Sequence, residues 1–479
     1  MCDGRAPAAD GRRSGTARDR GRRCRRCGHH RPQRRRVVVE PRDAPPSLDH
    51  RPRPAGRGLP VKESVMRSLA IVVPEYRTPE ARGGGLAAVA DFVAEAFGGD
   101  HVPLTERWNV RIVSPRMFHG APEHASPMRP GALLCGPVAR RRAGTGLEIW
   151  DVGTTLPELE PNRYRPRRAL TALVDDCDAA IVIAGTPAIG SVMRDVRVPW
   201  VLKVASLVEE ERAARLAGSR GLRGLLLRTV TAATARHDTR ALELARTVVT
   251  VNASMADRLR ERCGRPVRVL PVGVDTSAFR PATRRAADGP IIMVSRLNDP
   301  RKDVRTLLRA YALARRGHGV RHDLVLAGRH ALPTADVELI DELGLREVVR
   351  VVESPTDAEL AALLRTGSLF ALASREEGLG VVFLEAMASG LPVVATATRG
   401  ATEAVPAAAG TLVPFGPTLI PDLAAALAEG VLDATRADLR GRDARAHVEA
   451  RYATAVAERV WRDLVSEAVA ARGRTGGTR

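Results

Sequence analysis

From residue 66 onward the chain alternates short aliphatic or β-branched runs with longer Arg-, Ala- and Leu-rich stretches at helical spacing. Apolar runs without internal polar alternation suit strands covered on both faces, and their alternation with amphipathic helices predicts parallel α/β layers. A first set of strands is predicted at residues 69–74, 110–115, 147–152, 179–185, 200–205, 247–252 and 267–272. A second set follows at 290–295, 323–328, 348–352, 369–374 and 391–396. Between them "PVGVDTSAFRPATRRAADG" (271–289) is rich in Pro, Gly and charge and has no periodicity, as expected of an interdomain connection. The expected fold is α/β, two Rossmann-like doubly wound parallel-sheet domains facing across a cleft, over residues 66–272 and 273–444. Val448, Tyr452, Val456, Val460 and Leu464 recur at helical spacing, so residues 445–471 read as one helix, and the 445–479 segment is expected to pack back on the body.

Charge adds a separate feature at the amino end. The 479 residues carry 75 Lys and Arg against 55 Asp and Glu, a net charge of +20. Residues 1–65 hold 18 of the basic and 7 of the acidic residues, so more than half of the excess sits in a short Arg-rich tail. That tail has almost no apolar periodicity and is expected to be disordered. Met66 stands just before the first strand, and the functional chain is expected to begin there, the tail being an over-extended start. No apolar h-region and no run of about 18 apolar residues is present, so the protein is expected to be soluble and cytoplasmic.

The six cysteines are scattered, which argues against a disulfide framework. Cys24-x-x-Cys27 with His29 and His30 has ligand types that suit zinc, but it lies in a tail without folding context. Nucleic-acid binding is the rival that the net charge suggests. Aromatic residues make up only 3% of the chain, leaving few stacking platforms, and no recognition module is present.

Open parallel sheets bind ligands at the carboxyl ends of their strands, so the chemistry is sought there. Arg296 and Lys302 follow the strand at 290–295 and can neutralise a diphosphate; a solvated basic loop would have the same pattern. After the strand at 369–374, Glu377 lies on a loop, and Gly378, Leu379 and Gly380 lead into a helix that carries Glu385. Glycines permit close backbone approach, and amides at a helix start bind anions. Glu385 stands among apolar residues, where a carboxylate needs solvent, a partner or a ligand; the vicinal diol of a ribose would supply two hydrogen bonds. Asp176-Cys177-Asp178 precedes a strand, the wrong end for a cleft metal site, and reads as a helix-to-strand turn.

"EGLGVVFLEAMASGLPVVAT" resembles the Glu-x7-Glu signature of the retaining, nucleotide-sugar-dependent glycosyltransferases of GT-B fold, family 4 (group 1). "SRLNDPRKDVRTLLRAY", "VRVLPVGVDTSAFRP" and "ELAALLRTGSLFALASREEGLG" match further blocks of that family in the same order. The resemblance implies a donor-binding second domain and an acceptor-binding first domain. It places Arg296 and Lys302 on the donor diphosphate, Glu377 at the donor sugar, Glu385 on the ribose, and the amides of Leu379 and Gly380 at the sugar or phosphate. It places the backbone around Val352 and Glu353 near the base, and Gly83, Gly84 and Gly85 in the glycine loop that closes over the phosphates. It further implies no metal and no cofactor beyond the nucleoside-diphosphate sugar, and a small-molecule, lipid-linked or glycan acceptor. An epimerase or phosphorylase of the same fold shares these features. Many relatives carry a histidine at the end of the fifth acceptor-domain strand. Here "VLKVASLVEEER" has none, leaving Lys203, Ser206, Glu209 to Glu211, and the neighbouring Thr186, as substitutes. No specific nucleic acid is expected, while residues 215–245 are basic and leucine-rich enough for a weak peripheral contact with an anionic membrane; an ordinary surface helix has the same pattern.

Overall fold

The structure, a computed structural model, describes residues 66–77, 85–128, 130–143, 146–283 and 288–475. The first lobe holds an eight-stranded sheet of β1 (Ser68–Val72), β2 (Asn109–Pro115), β3 (Ala139–Arg141), β4 (Glu148–Val152), β5 (Ala179–Ile183), β6 (Trp200–Lys203), β7 (Thr247–Thr250) and β8 (Val267–Val269). Its order is β3-β4-β2-β1-β5-β6-β7-β8, parallel except at β3. The second lobe holds β9 (Ile291–Val294), β10 (Leu324–Gly328), β11 (Val349–Glu353), β12 (Leu369–Leu372), β13 (Val393–Thr396) and β14 (Gly410–Val413). Its order is β11-β10-β9-β12-β13-β14, parallel throughout.

Every predicted strand is present, and β3 and β14 are additions that the hydrophobic pattern does not reveal. In β1, Leu69 and Ile71 enter one core while Ala70 and Val72 enter the core on the other face, as period-two geometry requires of a sheet covered on both sides. The second lobe has a single continuous core built from β9, β10, β12, β13, the end of β14 and the helices around them.

The predicted helix over 445–471 is two helices, Ala434–Arg451 and Thr454–Thr475. The break has a tertiary cause: the Val274 amide donates to the Tyr452 carbonyl at 2.7 Å and the Thr454 amide to the Val274 carbonyl at 3.0 Å, so the interlobe connection replaces a helical turn. Beyond the break, Trp461, Leu464 and Val465 pack into the core of the first lobe. Asp178 accepts from the Ser68 amide at 2.7 Å and Asp176 from Arg111 at 2.9 Å, which ties both aspartates into the amino edge of the first sheet. Among the described residues no helix is long and apolar enough to cross a membrane. The tail, its Cys24-x-x-Cys27 motif, and Gly83 and Gly84 lie outside the described residues.

Candidate functional site

Two loops at the carboxyl edge of the second sheet are locked together. After β9, Arg296 is exposed and pairs with Asp299 at 2.7 Å. Asp299 also accepts from the Arg301 amide at 3.1 Å and pairs with its guanidinium at 2.9 Å, which shapes the 3₁₀ turn Pro300–Lys302. Asp303 then adopts the left-handed conformation and caps the helix Val304–Gly317 through the Thr306 amide. From the loop after β12, the Arg375 amide donates to the Arg301 carbonyl at 2.8 Å and its side chain to Asp303 at 2.7 Å.

This docking brings Lys302 to Glu377. Nζ lies 2.5 Å from Oε1, with the two side chains 14% and 7% exposed, and Ser374 Oγ donates to the same carboxylate oxygen at 2.8 Å. A lysine has three N–H donors, so the Glu377 contact leaves others for an anion. Arg296 stands apart from this pair and shares the single Asp299 carboxylate with Arg301, so a net positive charge remains on this loop.

The loop continues over a close backbone approach. A Cβ at Gly400 would lie 2.7 Å from the carbonyl oxygens of both Glu377 and Gly378, so only glycine fits beneath them. Gly378 is exposed, whereas Leu379 is buried in the lobe's core. Gly380 has φ +72° and starts the helix Val381–Ala388 without a side-chain cap. No hydrogen bond among the described residues engages the amides of Leu379 or Gly380. Gly390, also at positive φ, ends the helix as its sequence position predicts, with the Leu391 amide returning to the Ala386 carbonyl at 3.1 Å.

Glu385 is the fifth residue of that helix and is half-buried. No hydrogen bond or ion pair among the described residues reaches its carboxylate. Burial pushes its acid up to about 7, and the Asp357 carboxylate adds to the shift. Asp357 belongs to the segment after β11, where Ser354 turns the chain through a left-handed residue and donates to the Gly328 carbonyl at 2.7 Å. Val352 is half-buried on the edge strand β11 opposite Ala327, five residues before Asp357.

Across from this face lies the first lobe. Gly85 is the first residue of the helix Gly85–Gly98. Of the substitutes for the missing histidine, Glu209 pairs with Arg262 and Glu210 with Arg258, both at 3.0 Å, and Glu211 accepts from Ser206 Oγ at 2.5 Å. Thr186 only precedes a 3₁₀ turn. Lys203 differs from these residues. It is 4% exposed, has no partner among the described residues, and burial pushes its ammonium down to about 8. It lines a largely apolar cavity of about 290 Å³ with Phe92, Gly273, Trp461 and, from the second lobe, Val381.

A second interlobe cavity, of about 420 Å³, is lined by Asn252, Ser254 and Arg258 on one side and Arg375, Glu377 and Arg399 on the other. Arg399 reaches Ser254 Oγ at 3.1 Å, and the Ala253 amide donates to Glu403 at 2.8 Å. Apart from Glu377, sequence reading missed these residues; the helix-cap signal of Asn252 was the only local sign. It also missed Asp238, fully buried, which accepts from the Ala188 amide at 2.7 Å and the Val208 amide at 3.1 Å and so fixes two loops of the first lobe's carboxyl edge. Among the described residues no cluster of His, Cys, Asp and Glu is placed to hold a metal ion.

Two Rossmann-like parallel-sheet lobes with a cleft at their carboxyl edges define the GT-B glycosyltransferase fold. Within it, residues 289–435 match the model of the family described as Glycosyl transferases group 1. The chain is 30% identical over 264 residues to an MMP alpha-(1->4)-mannosyltransferase of Mycolicibacterium hassiacum, covering 54% of this chain and 62% of that protein. It is 34% identical over 238 residues to a D-inositol 3-phosphate glycosyltransferase of Saccharomonospora viridis, covering 46% and 54%. The matches thus span only part of these relatives' lengths. Sucrose-phosphate synthase of Thermosynechococcus elongatus shares the fold, with a TM-score of 0.60 at 20% identity, over 85% of this chain and all of that one.

Proposed function

We propose that this protein is a retaining glycosyltransferase of family 4 that moves a sugar from a nucleoside-diphosphate sugar to a hydroxyl acceptor, without a metal ion. The observation that carries the reading is Glu385: a half-buried carboxylate with no partner among the described residues, on the helix that follows the loop carrying the Lys302–Glu377 pair and the unengaged amides of Leu379 and Gly380. The ribose diol donates to Glu385. The diphosphate lies against Lys302, Arg296 and those amides, and the base extends toward Val352 and Glu353. Relatives whose names state mannosyl transfer and transfer to an inositol phosphate support a sugar donor and a hydroxyl acceptor, be it natural product, glycolipid or glycan.

In the reaction the bond from C1 of the sugar to the β-phosphate oxygen breaks, and its electron pair stays on that oxygen. Fixed positive charge and amide dipoles stabilise the negative charge that develops there, the kind of preorganised stabilisation that dominates such reactions. The acceptor oxygen bonds to C1 from the same face, and its proton passes to the departing phosphate oxygen. Glu377, fixed by Lys302 and Ser374, is placed to accept from sugar hydroxyls. Incubation with UDP-, GDP-, ADP- and dTDP-sugars and a panel of polyol acceptors, read by the anomeric proton coupling in NMR, tests this. The product should keep the donor's configuration; inversion, or isomerisation of donor without acceptor, would overturn the reading.

A further inference from the structure

The helix Gly221–Leu244 is built inside out at its amino end. The residues it buries include Gly224, Thr231, Thr234 and Asp238, small or polar, while Leu222, Leu225 and Leu226 are 82%, 60% and 63% exposed. Spaced i, i+3 and i+4, these leucines share one face. Soluble helices do the reverse. Gly224, on the opposite side, is pressed against the Ser219 carbonyl, which a Cβ there would approach to 2.7 Å, so the leucine face is held outward by packing and cannot simply roll inward.

Charge surrounds this face. Between Glu211 and Asp238 there are six arginines and no acidic residue. Arg212 turns inward to Glu160, but Arg215, Arg220, Arg223, Arg228 and Arg236 form no ion pair with any described residue. On the helical wheel Arg223 and Arg228 flank the leucines on either side.

Topology places the patch at the cleft rim. Leu244 leads within three residues into the start of β7, so Gly221 stands at the opposite, carboxyl edge of the sheet. At 1.5 Å per residue the helix is ~36 Å long against ~13 Å for β7, and its amino end overshoots that edge. The loops leaving β2 and β4 at the same edge expose Phe118, Leu134 and Leu159, and Glu160 holds the second of them to the helix through Thr234 Oγ1 at 2.9 Å.

We propose that this rim is a docking surface for an anionic lipid bilayer, with the leucines inserted at the headgroup boundary and the flanking arginines on lipid phosphates. Apolar insertion together with basic flanks is the composition that binds bilayers in plane, and a face of this kind without acidic residues complements an anionic surface. The inference stands independently of the transfer reaction, and it places the mouth of the cleft against the lipid.

Sedimentation of the full chain with vesicles of phosphatidylcholine alone and of phosphatidylcholine with phosphatidylglycerol tests it. Binding should require phosphatidylglycerol, fall as salt is raised from 0.1 to 0.5 M, and drop at least tenfold in the Leu222→Ser/Leu225→Ser/Leu226→Ser variant. The triple variant should unfold at the wild-type temperature when followed by circular dichroism, which separates loss of docking from misfolding. Equal vesicle binding by the triple variant would assign the attraction to the basic tail and overturn the proposal. So would no binding at all, or a dimer in analytical ultracentrifugation that the triple variant dissolves, which would make the patch an interface between copies.

Discussion

An ionised carboxylate that is half-buried and lacks a donor destabilises the chain that carries it, and Glu385 is such a group. Its folded-state value of about 7 lies above the unfolded value of about 4.3, so its unfavourable contribution is absent in acid, grows as pH rises between the two and is complete above 7. Glu385→Gln should therefore melt higher than the wild type at pH 8 and at the same temperature near pH 4, when both are free of ligand. A wild type that is the more stable at pH 8 would mean that the carboxylate already has a partner. Lys203 is the basic counterpart. Its ammonium, pushed down to about 8 from about 10.4 in the unfolded chain, leaves the folded state binding fewer protons between those values, so stability rises with pH across that window. Lys203→Met should stabilise by up to about 3 kcal/mol at pH 7, an advantage that disappears by about pH 10.5 in urea unfolding. A constant advantage at both pH values would assign it to packing instead. Glu385 could be singled out from sequence because its flanks are apolar and glycines precede it. The isolation of Lys203 could not, since it depends on Glu209, Glu210 and Glu211 each being engaged elsewhere. Asp238 was hidden for a related reason: its partners, Ala188 and Val208, lie 50 and 30 residues away.

At the scale of elements, most of the twelve strands that could be read are aliphatic runs buried on both faces, and the edge strands β8 and β11, though only partly buried, still carry valines at strand spacing. β3 is "ARR", a polar antiparallel edge, and β14 is a four-residue edge strand that opens with glycine, so neither carries the signal. The break at Tyr452 leaves no local mark either, because no proline or glycine causes it; Val274, far away in sequence, does. The loop from Ser374 to Gly380 is the element on which the site depends, and Gly400 is the floor beneath it. Gly400→Ala would drive the Glu377 and Gly378 carbonyls upward, and overpacking of this kind costs about 1–3 kcal/mol. The substitution should also separate Glu377 from Lys302, so turnover should fall by more than tenfold while affinity for nucleoside diphosphate, set largely by Glu385, falls less. Unchanged turnover in steady-state assays would show that the pair is not part of the machinery.

For the whole molecule, the two lobes differ in how far sequence reveals them. The residues proposed to hold the donor fall in two short stretches, Arg296 to Lys302 after one strand and Glu377 to Glu385 after another, so local patterns announce them. The first-lobe side of the cleft is assembled from loops after several strands and from Arg399 and Ser254 meeting between the lobes, which no local pattern encodes. Binding at the second lobe is the claim from which the rest follows, and calorimetric titration of nucleoside diphosphates into the wild type, Lys302→Ala and Glu385→Ala tests it most directly. The wild type should bind one equivalent of at least one nucleoside diphosphate. Glu385→Ala should weaken it at least tenfold, as should Lys302→Ala, corresponding to about 1.4 kcal/mol or more each. Equal affinity in all three proteins would contradict the account.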